Sequence, residues 1–206
     1  MTLSSNAAPS DLPATPEQPA PSGHSATYDQ SAPSDQPAPI LTDPRIRAIA
    51  PQDVPRTVEL IFELAVYEKL PDECHITPEQ LHAALFAPNP ALFGLAAFTG
   101  TDAEATQVGY ALYFLNYSTW EGVHGIYLED LYVSPERRGS GLGKALLTAL
   151  AATAHDRGYA RVEWSVLDWN APAIAFYRSL GATPMDGWST FRLSGLPLAQ
   201  TARGRV

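Results

Sequence analysis

The chain has 206 residues, 45% of them hydrophobic, enough for one domain with a real core and too few for two large ones. A formal charge of −9 argues against a nucleic-acid partner, which needs a basic footprint to displace counterions from phosphates, and fits a cationic small molecule better. With no apolar run of about 18 residues, no signal-peptide pattern and a single cysteine, Cys74, the expectation is a soluble cytoplasmic protein without membrane contact, internal disulfide or metal site.

From Met1 to Pro44 the chain carries nine of its 19 prolines, five acids and no Lys or Arg, set among Ala, Ser and Gln. Such a segment buries too little apolar surface to offset its ordering entropy, so residues 1–44 are expected to be a disordered acidic tail and residues 45–206 the folded domain. "IRAIA" at 46–50 alternates like a strand. Asp53 then caps a helix with Pro55 in its first turn, whose apolar positions Val58, Ile61, Phe62 and Ala65 recur at helical spacing. A second helix starts at "TPEQ", with Thr77 as N-cap and Gln80 closing a capping box. Two strands, 91–99 and 108–117, form an antiparallel hairpin, and a third covers 125–133. A helix to about Arg157, a strand over 160–167, a helix opened by Asn170 and halted near Gly181, and a last strand "WSTFRLSG" complete the chain. The pattern predicts an α/β fold with antiparallel strands first and a parallel crossover in the second half.

The stretch "ERRGSGLGKALL" (136–147) holds three glycines in five positions between a strand and a helix. A Walker loop is excluded, because Arg138 stands at the first glycine position and Ala145 follows Lys144; a dinucleotide fingerprint is excluded by Lys144 at its third glycine. Arg138-Gly139-Ser140-Gly141-Leu142-Gly143 fits a third pattern. There glycines let successive backbone N–H groups converge at a helix N-terminus around a pyrophosphate, as acyl-CoA requires; the same glycines could also serve only a tight turn.

"LYVSPERRGSGLGKALLTAL" and "WNAPAIAFYRSLGA" resemble the two signature segments of the GNAT superfamily of acetyl-CoA-dependent N-acetyltransferases, and "IFELAVYE", "GYALYF" and "YLEDLYV" follow in the family's order, covering about 45–195. The likeness is closest to the spermidine/spermine (diamine) and thialysine acetyltransferases. The resemblance implies the GNAT fold, a mixed sheet with a splayed parallel pair and helices on both faces, acetyl-CoA as cosubstrate, and a homodimer. It implies that Leu131, Tyr132 and Val133 pair with the pantetheine arm, that Arg138, Gly139, Gly141, Gly143 and Lys144 hold the pyrophosphate, and that Asn170 and Ala173 line the CoA arm. By the same likeness Tyr177 lies beside the thioester sulfur as general acid, and Tyr67, Glu68 and Trp120 belong to the amine groove.

In this chemistry a neutral amine attacks the thioester carbonyl and the thiolate leaves. Alkyl ammonium groups resemble lysine, with a pKa near ~10.4, so a base must remove a proton, often through water. The candidates are Glu129 and Asp130 in mid-strand, Glu129 being favoured as base or ammonium anchor. A strand alternates faces, so one of the two should point away from the groove unless a bulge brings both to it. Asn170 can also be simply a helix cap, and Tyr177 a core aromatic. Two departures, Val66 where polyamine enzymes tend to carry lysine and an extra residue between Trp120 and Glu129, touch the acceptor groove. The function expected is acetyl transfer to a diamine or polyamine. Transfer to an amino acid, antibiotic or protein amine, a non-catalytic acyl-CoA-binding module, and a nucleotide-binding protein are the alternatives in falling order.

Overall fold

A computed structural model describes residues 38–204. The expected tail therefore lies outside the described residues up to position 37. Of its last residues, Ile40 N–H donates to Thr153 Oγ1 at 2.9 Å and the Ala38 carbonyl accepts from Arg157 Nη2 at 3.3 Å, so the chain is tied to the domain before residue 45.

Among the described residues five strands form one sheet in sequence order: β1 (Ile46–Ala48), β2 (Phe93–Phe98), β3 (Gln107–Ser118), β4 (Val123–Val133) and β5 (Val162–Glu163). β1 to β4 pair antiparallel, and β5 joins β4 in parallel through Ile126/Val162 and Tyr127/Glu163. Two helices, α1 (Val54–Tyr67) and α2 (Pro78–Phe86), cover one face. Val54, Val58, Leu60, Ile61, Leu81 and Leu85 close there on Ala96, Tyr110, Leu112 and Tyr132. On the other face α3 (Leu142–Asp156) packs Leu142, Leu146, Leu147 and Leu150 against Leu95, Ala111, Tyr113, Ile126 and Leu128. Each fully buried Leu or Ile contributes about 1.5–3 kcal/mol, so both faces are strongly fixed. Phe62, expected on the buried stripe of α1, is instead exposed.

Local signals decide the helix starts. Thr77 Oγ1 accepts from Gln80 N–H (3.3 Å) while Gln80 Oε1 accepts from Thr77 N–H (2.9 Å), the reciprocal box that the sequence predicts. Asp53 is the N-cap of α1, its carbonyl accepting from Thr57 Oγ1 at 3.0 Å, but its side chain makes no bond to the first turn. Its carboxylate accepts from Ala50 N–H (2.8 Å) and pairs with Arg47, which ties β1 to the helix start.

The β3–β4 register carries the feature that matters for function. Leu112 faces Asp130 and Tyr113 faces Leu128, so Glu129 is an extra, bulged residue. Ahead of it Ile126 and Leu128 point to the α3 side; beyond it Tyr132 points to the α1–α2 side. Side chains on a strand have a period of two, so only an inserted residue can exchange the faces this way.

The second half departs from expectation in two places. β5 is two residues long rather than eight, because the chain leaves the sheet after Glu163 and opens a gap beside β4. Among the described residues, 188–195 pair with no strand, and α5 (Gly195–Ala202) is the last element instead. α4 (Ala171–Ser179) lies between these segments.

Candidate active site

The gap between the diverging ends of β4 and β5 opens into a cavity of about 510 Å³. At one end the strand-to-helix turn has Gly139 at φ +78° and Gly141 at φ +83°, a left-handed backbone that only glycine adopts at little cost. Gly141 directly precedes α3, whose first N–H groups have no partner inside the helix. These donors, Lys144 and the guanidinium groups of Arg137 and Arg138 give this end a concentration of positive charge. The Arg138 guanidinium lies over the Tyr67 ring at 4.6 Å, and its Nε donates to the Val133 carbonyl at 3.3 Å.

Along the middle, Leu131, Tyr132 and Val133 form one wall, and Ser165, Val166 and Leu167 the other. Asn170 caps α4 by accepting from Ala173 N–H (3.3 Å), and its Oδ1 also accepts from the Tyr67 hydroxyl (3.0 Å). Asn170 is thus the helix cap, and it also borders the cavity, as does Ala173. Tyr67 packs on Trp169, over which Lys69 Nζ stands at 5.3 Å.

Tyr177 extends from α4 into the cavity, its ring 4.8 Å from that of Trp164 and 5.3 Å from that of Phe176. Burial, reinforced by the nearby Glu68 carboxylate, raises its pKa, so the hydroxyl keeps its proton at neutral pH. The bulge brings Glu129 and Asp130 to the same cavity, with Glu68 facing them from the C-cap of α1. Burial raises the Asp130 carboxyl to about 6, with Glu129 and Glu68 adding to the shift and the Tyr110 phenol acting against it. Burial also raises Glu68. Three carboxyl groups at one end and three basic side chains at the other polarise the cavity along its length.

Of the residues singled out in the sequence, Tyr67, Glu68, Glu129, Asp130, Leu131, Tyr132, Val133, Arg138, Gly139, Gly141, Gly143, Lys144, Asn170, Ala173 and Tyr177 all line this cavity. Trp120 does not. It sits in the β3–β4 turn with 90% of its surface exposed, because β3 and β4 run on for several residues past the bulge before they turn. The sequence reading missed Arg137 and the 165–167 wall; the first arginine of "ERRG", next to Arg138, was the available signal for Arg137. For the wall there was none, since an expected strand over 160–167 gave no sign of leaving the sheet.

Residues 58–182 match the Acetyltransferase (GNAT) family. Thialysine N-epsilon-acetyltransferase of Sus scrofa is 40% identical over 164 residues, covering 76% of this chain and 96% of that protein. The human spermidine/spermine N(1)-acetyltransferase-like protein 1 is 31% identical over 156 residues, 73% of this chain and 22% of the relative. Among solved structures, an integron cassette protein from the mobile metagenome of V. cholerae superposes with a TM-score of 0.63 at 25% identity, over 77% of this chain and 96% of that one.

Proposed function

The chain belongs to the GNAT acetyltransferase family and is an N-acetyltransferase; from that premise we propose that it moves the acetyl group of acetyl-CoA to a primary amine of a small cationic acceptor, a diamine or polyamine. The observation that carries the reading is the polarised cavity, with a phosphate-type turn at one end and three carboxyl groups at the other. Bound acetyl-CoA supplies the activated acyl group. The turn suits it: a Cβ at Gly139 or Gly141 would meet no protein atom within 4 Å, so these glycines are not dictated by packing, and their open faces suit close approach of an anion.

The residues then divide the work. Arg137, Arg138, Lys144 and the first N–H groups of α3 hold the pyrophosphate, and the unpaired edges beyond Tyr127 and Glu163 receive the pantetheine arm. Glu68, Glu129 and Asp130 attract the ammonium group and supply the site of proton removal. Tyr177, kept protonated by burial, gives its proton to the departing sulfur. A second reading, an amino acid bearing a terminal amine, is favoured by the thialysine-acetylating relatives, which are nearer in sequence than the polyamine-type one.

Thiol release from acetyl-CoA, measured across diamines, polyamines, lysine-like amino acids and monoamines, tests both. A diamine or polyamine with the highest kcat/KM is the expected result; an amino acid ahead of every diamine moves the assignment to the second reading. Location in the cytoplasm is proposed on the same footing; among the described residues no helix is long and apolar enough to cross a membrane. So is a homodimer, for which the exposed apolar side chains of residues 185–198 speak.

A further inference from the structure

The two adjacent acids of the cavity have different surroundings. Glu129, the bulged residue, is exposed. Asp130 is only partly accessible, and ionisable groups approach it from each element around it. Glu68 comes from the end of α1, Tyr110 from β3 and Glu129 from β4; Cys74, from the turn after α1, and Glu68 also act on the Tyr110 hydroxyl, while Tyr177 on α4 senses Glu68. Among the described residues no lysine or arginine forms an ion pair with Asp130.

Tyr110 pairs with Tyr132 across the β3–β4 ladder and so shares a sheet face with Asp130, two residues away and opposite Leu112. It is 0% exposed. Its oxygen completes no well-aligned hydrogen bond among the described residues, but it lies close enough to the Asp130 carboxyl to act on it and to favour its charged form. A buried polar group left unbonded costs about 1–3 kcal/mol, and phenylalanine would fill the same space without that cost. Packing therefore accounts for the ring and not for the hydroxyl.

We propose that Asp130 is the group that takes the acceptor's proton and that Tyr110 is its positioning residue, orienting the carboxylate from inside the sheet, while Glu129 anchors the ammonium on the solvent side. The proposal rests on the amine-acetylation reading and moves proton removal from Glu129, the residue favoured by sequence, to its neighbour. In the step, one ammonium N–H bond breaks and its electron pair stays on nitrogen as the lone pair that attacks the thioester carbonyl. The proton forms an O–H bond on Asp130, which later releases it to solvent. The Tyr110 hydroxyl touches neither reactant and acts through the carboxylate alone.

The test is the pH dependence of kcat/KM for the best amine, in the wild type and three variants. The wild type should lose activity as pH falls through about 6, where Asp130 takes up its proton. Asp130→Asn should abolish that acid limb and lower kcat roughly 10²-fold, whereas Glu129→Gln should keep the limb and raise KM. Tyr110→Phe removes a group that favours the charged carboxylate, so the limb should move to higher pH. Activity should then fall about 3- to 10-fold near pH 6 and change less than about twofold near pH 9. A limb that survives Asp130→Asn, or that disappears with Glu129→Gln, overturns the assignment of the base. A limb that Tyr110→Phe leaves in place overturns the role of Tyr110. Carboxyl ¹³C titration of the free protein, with the Asp130 signal identified by its loss in Asp130→Asn, needs no acceptor at all. That signal should titrate at higher pH in Tyr110→Phe, and an unchanged titration overturns the Tyr110–Asp130 link. Should no amine be acetylated by the wild type, the acetyltransferase reading fails separately.

Discussion

Asp130 places a cost on the fold that its proposed role explains. A carboxyl group raised from its ordinary 3.8 to about 6 by burial is more easily protonated in the folded than in the unfolded chain. The contribution of Asp130 to stability is therefore greatest below about pH 4 and is lost as pH rises toward about 6, by at most ~3 kcal/mol at 1.36 kcal/mol per unit. Asp130→Asn removes this titration. Its Tm relative to wild type should climb between about pH 4 and 6 and stay level above, whatever fixed cost the amide carries; a difference independent of pH would show that Asp130 is not raised. Tyr177 makes a separate claim. Tyr177→Phe retains the ring that packs on Trp164 and Phe176, so acetyl-CoA affinity should persist while kcat for the chemical step falls on the order of 10²-fold in a single-turnover measurement. At this scale the sequence was legible where a motif carried the residue: the glycine stretch, "LEDLYV" and "WNAPAIAFY" supplied most of the cavity lining, and "IFELAVYE" Tyr67 and Glu68. It was silent on Tyr110, which in the sequence is one apolar position of a strand; only the strand register shows that it shares a sheet face with Asp130.

Elements place those residues, and two irregularities matter more than the regular stretches. The bulge at Glu129 exchanges the faces of β4, so that Leu128 and Tyr132 both stay in core while both acids reach the cavity. Without it a strict alternation would send one acid to the groove and the other into the α3 core. The sequence could pose that choice through adjacent acids among apolar neighbours, but could not resolve it, since a bulge is a relation between two strands. The strand-to-helix turn is the second. At Gly141 an added Cβ meets nothing within 4 Å, and φ is +83°, so Gly141→Val strains the turn without disturbing the core. The left-handed conformation costs an L-residue roughly 1–2 kcal/mol, and relief of that strain would swing the first N–H groups of α3 away from their common focus. Gly141→Val should thus remain folded by circular dichroism and lose acetyl-CoA binding by calorimetry; full affinity would remove the turn from the binding site. β5 and residues 188–195 were misjudged for one reason: β-branched and aromatic residues state a preference for extended backbone, and a strand also needs a neighbour to pair with.

For the molecule as a whole, the charge of −9 is unevenly distributed, with five of 22 acids before residue 45 and no compensating base there. Residues 45–206 keep an acidic surplus of 17 acids over 13 bases, and three of those acids, Glu68, Glu129 and Asp130, line the cavity where a cation would be received. The surface of the C-terminal part follows a different logic. Met185, Trp188, Phe191 and Leu196 are 67%, 75%, 94% and 77% exposed, and α5 has no buried residue. Single exposed apolar side chains are ordinary, but four large ones within twelve positions make an apolar stretch that a monomer rarely leaves in water. A second copy of the chain is the occupant proposed, since one two-fold contact covers the segment on both copies at once. Burying the Phe191 and Trp188 rings would contribute several kcal/mol at about 25 cal/mol per Å², and a charge placed among them would forfeit it. Sedimentation of the wild type at micromolar concentration should therefore give a dimer, with a Tm that rises with protein concentration. Phe191→Glu should sediment as a monomer with its Tm no longer concentration-dependent, and keep acetyl-CoA binding, because Phe191 does not line the cavity. A wild type that sediments as a monomer at every concentration, or a Phe191→Glu variant that remains dimeric, would exclude this segment as the contact.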